Sequence, residues 1–242
     1  MEKIVHSKNF RITNLTDSYV LHNVLIGYNE RPHTIEIRKG ALNRPTTCFT
    51  GSEEALLNFF QRQYSVGKDY PLPFPCLFGI IHSLNANKNH PDPEQKRNVH
   101  ELASFLRESF DNNYIPTNST LTFMPDKEIL THRYGLVREE KKETFFIGKN
   151  EPIKTTSTPE IYQLLCGTKC SPAQIDQDFV YLHGKYPNET KTIALKVDSE
   201  SKRKMLYLTK IVSFFGLDDR VYINCGKNPL TRWHAIWGQA FD

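Results

Sequence analysis

TIALKVDSESKRKMLYLTKIVSFF, residues 192–215, followed by Gly216, is the stretch on which the fold class turns. Its first six residues, Thr192–Val197, are apolar and partly β-branched, as a strand should be. Asp198 stands where a helix cap would, with Glu200 in a first turn that favours a carboxylate at the positive end of the helix dipole. Met205, Leu208, Ile211, Val212 and Phe215 recur at helical spacing, which predicts a helix over Lys202–Phe215 stopped by Gly216. Arg220–Cys225 (RVYINC) is strand-like again, and Trp233–Trp237 reads as a further strand. The C-terminal third is therefore predicted to be a β-α-β-β block.

Upstream, Phe10–Leu15, Tyr19–Tyr28 and Thr34–Lys39 read as strands separated by turn residues. Thr34–Lys39 places Ile35 and Ile37 on one face, Glu36 and Arg38 on the other. Thr50 with Glu53 is a capping box for a helix carrying Leu56, Phe59, Phe60 and Tyr64, ended by Gly67. Lys68–Pro75 (KDYPLPFP) is too proline-rich for either regular element and predicts an irregular crossover. Cys76–Ser83 (CLFGIIHS) is a short apolar run, predicted as a central strand.

Asp92, Pro93, Glu94 and Gln95 give a helix start, with Val99, Leu102, Leu106 and Phe110 facing inward as far as about Asp111. Asn112–Thr120 reads as a loop; Leu121–Met124, Ile129–Arg138 and Glu143–Lys149 read as strands, the last two joined by a charged turn at Glu139–Lys142. Thr158–Leu165 is a short helix stopped at Gly167, Ser171 and Pro172 repeat the start chemistry, and Phe179–His183 is strand-like. The order of elements predicts an α+β fold with mixed or mostly antiparallel sheets and about four helices. Residues 1–150 would form a β-rich lobe with two helices and 151–242 an α+β lobe, and the whole chain also reads as one continuous domain.

The chain has 242 residues, 38% of them apolar and 12% aromatic, enough to bury a sizeable core. A net charge of +4 permits a polyanionic partner without demanding one. MEKIVHSKNF has no apolar h-region and no run reaches the roughly 18–20 apolar residues of a membrane span, so an intracellular, cytoplasmic chain with no membrane partner is expected. Five cysteines, odd in number, fit reduced thiols better than a disulfide framework.

On the predicted helix Lys202–Phe215, Arg203, Tyr207, Lys210 and Phe214 fall at i, i+4, i+7 and i+11, with Lys202 and Lys204 adding charge. Cations alternating with rings are what phosphate contacts and base stacking require, so these residues are the candidate nucleic-acid-binding set, RNA included. The same stripe also reads as a solvated face. Arg11, Arg38, Lys39 and Arg44 are a second basic group.

The alternative is a phosphoesterase or nuclease-type enzyme built on His82, His183 or a carboxylate pair. Both histidines end apolar runs, where catalytic side chains often emerge. Asp178 with Glu189-Thr190-Lys191, and Asp17 with Glu36-Ile37-Arg38, approximate a Mg²⁺-nuclease pattern. Cys225 and Arg232 are separated by six residues where a cysteine-phosphatase loop has five. HExxH and Cys-x2-Cys patterns, a P-loop, a GxGxxG loop and a nucleophile elbow are absent, and Cys166-x3-Cys170 has no histidine close by in sequence. No metal site is predicted and no cofactor is specified. A third reading is a non-catalytic interaction or effector protein exposing Trp233–Trp237.

Overall fold

The computed structural model describes residues 9–26, 31–39, 62, 67, 69–110, 114–124, 129–136, 139–146, 153–154, 163, 166–183, 194–196, 208–217, 220–224 and 236–242. Two sheets and three helices are present among them. The first sheet has the order β1-β2-β3-β12-β4, every pairing antiparallel. Its strands are β1 (Arg11–Asn14), β2 (Ser18–Ile26), β3 (Arg31–Arg38), β4 (Tyr70–Pro71) and β12 (Trp237–Phe241).

The second has the order β7-β6-β5-β10-β11-β9-β8. Its members are β5 (Tyr114–Met124), β6 (Ile129–Leu136), β7 (Glu139–Phe146), β8 (Ile153–Lys154), β9 (Ala194–Lys196), β10 (Leu208–Leu217) and β11 (Arg220–Asn224). Only the β11–β9 pairing among them is parallel. The helices are α1 (Phe74–Ala86), α2 (Pro93–Phe110) and α3 (Pro172–His183). This is an α+β arrangement with mostly antiparallel sheets, and the three described helices stand against about four expected.

The first sheet follows its sequence pattern. On β3, His33, Ile35 and Ile37 are buried while the residues between them are not, as period-two alternation requires. β1 lies at the sheet edge, and its outward backbone groups are answered by helix α2. Ile12 N–H donates to Gln95 Oε1 at 2.8 Å, and Gln95 Nε2 and Asn98 Nδ2 each donate to Ile12 O at 3.2 Å. The α2 start forms as read: Asp92 Oδ1 accepts the N–H groups of Glu94 (2.8 Å) and Gln95 (3.3 Å). Val99, Leu102 and Leu106 are buried.

Several expectations are corrected. Cys76–Ser83 lies inside helix α1, not in a strand. Residues Phe74–Ile81 are all buried, so the helix has no polar face over that run and its period is invisible in the sequence. Lys68–Pro75 is not wholly irregular either: Tyr70–Pro71 is β4, and Pro75 lies in the first turn of α1. Tyr114–Met124 is one long strand where a loop was expected up to Thr120, and Glu139–Lys142 belongs to β7 rather than to a turn.

Phe179–His183 closes helix α3 instead of forming a strand. The predicted helix Lys202–Phe215 is a strand over Leu208–Leu217, with Gly216 inside it. Thr209, Ile211, Val212, Phe214 and Phe215 are β-branched or aromatic, and pairing with both β5 and β11 outweighs the helical spacing. The last described strand, Trp237–Phe241, joins the first sheet rather than following β11 in the second, while residues 197–207 and 225–235 lie outside the described residues. The expected helices at Thr50–Tyr64 and Thr158–Leu165 lie largely outside the described residues.

One buried cluster runs from Phe10 through Phe74, Phe78 and Leu102 to Cys166, Phe179 and Ile236. Helices α1 and α3 meet within it, and the candidate site lies along their seam.

Candidate active site

Helix α1 brings His82 to this seam and helix α3 brings Asp178. Asp178 has no solvent exposure, and a buried carboxylate needs donors. It has three: His82 Nδ1 at 2.7 Å on Oδ2, with Asn85 Nδ2 at 2.7 Å and Gln174 Nε2 at 3.0 Å on Oδ1. Asn85 is three residues along α1 from His82, and Gln174 four residues before Asp178 on α3, so helical spacing places each pair on one face. Lys88 Nζ donates to Asn85 Oδ1 at 3.0 Å.

Cys170 completes the site from the turn before α3. Gln163 and Cys166 are helical, Gly167 adopts φ 60°, and Thr168 N–H donates to Gln163 O at 2.9 Å. That six-to-one closure around a left-handed glycine is a helix-ending turn. Cys170 N–H then donates to Thr168 Oγ1 at 3.1 Å, and Gln163 Nε2 donates to Cys170 O at 2.9 Å. Ser171 Oγ caps α3 by accepting Gln174 N–H at 3.3 Å. Both backbone polar groups of Cys170 are thus fixed. Its Sγ lies 3.8 Å from both Nδ1 and Nε2 of His82, so the sulfur is off the axis of either N–H.

Burial of the His82 ring opposes protonation. Hydrogen bonds to Asp178 and Cys170 and the charge of both partners outweigh it, and push the pKa up to about 10. The ring is held as imidazolium at neutral pH, stacked against Phe78 with centroids 6.2 Å apart and planes 18° apart. Cys170 and His82 are partly exposed, whereas Cys76 and Cys166 are buried. Burial raises both of those thiols well above the usual range, and the charges of Cys170, Asp178 and Asp176 add to the effect at Cys166.

His82, a candidate in the sequence, is therefore in the site. Asp178 appears there in a different role from the Mg²⁺ pattern, and Cys170 has a histidine partner 88 residues away. The sequence signals near the cysteine are the Gly167 stop, the helix-start residues Ser171 and Pro172, and the Cys166-x3-Cys170 spacing, none of which points to His82. His183 is the last residue of α3, five positions beyond Asp178. Of the basic set, Lys210 is on β10, while Lys202, Arg203, Lys204 and Tyr207 lie outside the described residues.

Glu189–Lys191, Arg44 and Cys225–Arg232 also lie outside them. Arg38 is engaged by Glu36 at 2.5 Å and Asp69 at 3.0 Å, so that trio is an ion-pair network. The described residues include no helix long and apolar enough to cross a membrane.

Against known proteins, the chain matches no family model, no curated sequence and no solved structure.

Proposed function

We propose that this chain is a cysteine-dependent acyl-transfer enzyme. Cys170 is the nucleophile, His82 the group that holds and delivers the proton, and Asp178 the carboxylate that fixes the imidazole. The observation that carries this reading is the meeting of a part-exposed thiol, an imidazole and a fully buried carboxylate within hydrogen-bonding reach. The thiolate would attack the carbonyl carbon of an ester, thioester or amide. The bond to the leaving group breaks as the His82 imidazolium donates its proton to that group. Water, deprotonated by the now neutral imidazole, then attacks the thioester carbonyl, releasing the acid and restoring the thiolate beside the imidazolium.

The off-axis sulfur is compatible with this chemistry, because catalytic hydrogen bonds in ligand-free sites are often long and tighten with substrate. A carbonyl suits the partners better than a phosphate ester, which wants a cradle of several cations where the His82 imidazolium is already held by Asp178 and Lys88 by Asn85. The nucleic-acid reading needed a helical stripe, and Lys210 stands on a strand. Lys202, Arg203, Lys204 and Tyr207 lie outside the described residues.

The test is alkylation of the whole chain by iodoacetamide, mapped by peptide mass. Cys170 should react at least about tenfold faster than Cys166 or Cys76, and His82→Ala or Asp178→Asn should slow it by about tenfold. A simple aryl ester should leave an acyl group on Cys170. Equal reactivity of Cys170 and Cys166, or an unchanged rate in His82→Ala, defeats the proposal.

A further inference from the structure

We infer that His82, Cys170 and Asp178 also form a binding site for a zinc-class divalent cation. One ligand atom from each residue, nitrogen, sulfur and oxygen, lies within 4.8 Å of the others. Tetrahedral zinc, with bonds of about 2.0–2.3 Å, sets neighbouring donors roughly 3.2–3.8 Å apart. The sulfur is already 3.8 Å from Nδ1. The Nδ1–Oδ2 separation is 2.7 Å and needs to open by only about half an ångström.

The sulfur is equally near to both ring nitrogens, so sharing a cation with Nδ1 requires Sγ to swing towards the Asp178 side of the ring. A cation at the centre of the Nδ1, Sγ and Oδ2 triangle would replace the Nδ1 proton.

The surroundings fit as well. Asn85 and Gln174 occupy Oδ1 of Asp178 and leave Oδ2 directed at the triangle, the outer-shell arrangement that orients a ligating carboxylate. Thiolate and imidazole select zinc, cobalt or a similar metal over magnesium and calcium. Three protein ligands leave a fourth position, and His82, 22% exposed, opens the site to solvent on one side.

A cation held there would occupy the thiolate and silence it as a nucleophile. That consequence rests on the acyl-transfer reading; the binding itself does not.

The experiment is a titration of the full chain with Co²⁺ and Zn²⁺. One equivalent of Co²⁺ should give a thiolate-to-cobalt charge-transfer band, displaced by one equivalent of Zn²⁺. The band should vanish in Cys170→Ser and persist in Cys166→Ser, each with unchanged circular dichroism. His82→Ala and Asp178→Asn should weaken binding by at least about tenfold. A charge-transfer band that survives in Cys170→Ser, or no band with stoichiometric cobalt on the folded chain, overturns the inference. Zinc should also protect Cys170 from iodoacetamide. If the band is seen but metal-free Cys170 alkylates no faster than Cys166, the metal site stands and the acyl-transfer reading falls.

Discussion

A carboxylate with no solvent exposure survives only if its oxygens are answered, and Asp178 has an imidazole and two amides to do so. His132 is the opposite case. It sits on β6 with neither ring nitrogen hydrogen-bonded, its ring centroid 4.9 Å from that of Tyr134. In register it faces Leu121 on β5 and Glu143 on β7. Burial alone lowers its pKa to about 3. The unfolded chain takes up this proton below about pH 6.5, while the folded chain resists it until about pH 3.

The stability His132 contributes is therefore complete above about pH 6.5 and is lost as pH falls towards 3. Unfolding by denaturant at pH 7.5 and pH 5 should show a loss at the lower pH. His132→Phe should make that loss smaller. An identical pH dependence in the variant would show that another group governs it.

At the scale of elements, what the sequence reveals depends on whether an element has two different faces. Strand β3 and helix α2 each bury one face, so Ile35 and Ile37, or Val99, Leu102 and Leu106, announce their period. Helix α1 is buried all round from Phe74 to Ile81, and no periodicity survives to distinguish it from a strand. The site suffers for the same reason. His82 read as a strand end because α1 did, and its partners, 88 and 96 residues away, meet it only through helix packing.

Gly79 is the residue that lets α1 approach the sheet. A Cβ there would come within 2.6 Å of Leu25 O on β2. Gly79→Ala is expected to cost about 1–3 kcal/mol by overpacking, roughly 2–12 °C at about 2–4 °C per kcal/mol for a chain this size. Thermal unfolding followed by circular dichroism checks it, and an unchanged midpoint would mean the helix can shift away freely.

The molecule as a whole depends on a pairing between distant parts of the chain. β12 lies between β3 and β4, with Gly238 in register with Ile37 on one side and Tyr70 on the other. Leu72 N–H donates to Ile236 O at 2.9 Å, and two residues later α1 begins. Strand β12 therefore braces the segment that leads into the helix carrying His82. Gly238 permits the close approach: a Cβ would stand 2.0 Å from Glu36 O, a backbone atom fixed in the β2–β3 ladder.

Gly238→Val should force β12 away from β3 and loosen β4 with it, so two effects are expected together. The thermal midpoint should fall by at least as much as in Gly79→Ala. At a temperature where the variant is still folded, Cys170 should lose part of its alkylation advantage over Cys166, because α1 no longer holds His82 against Asp178. A lowered midpoint with Cys170 reactivity intact would show that α1 is positioned by α3 and the core alone, without the sheet closure.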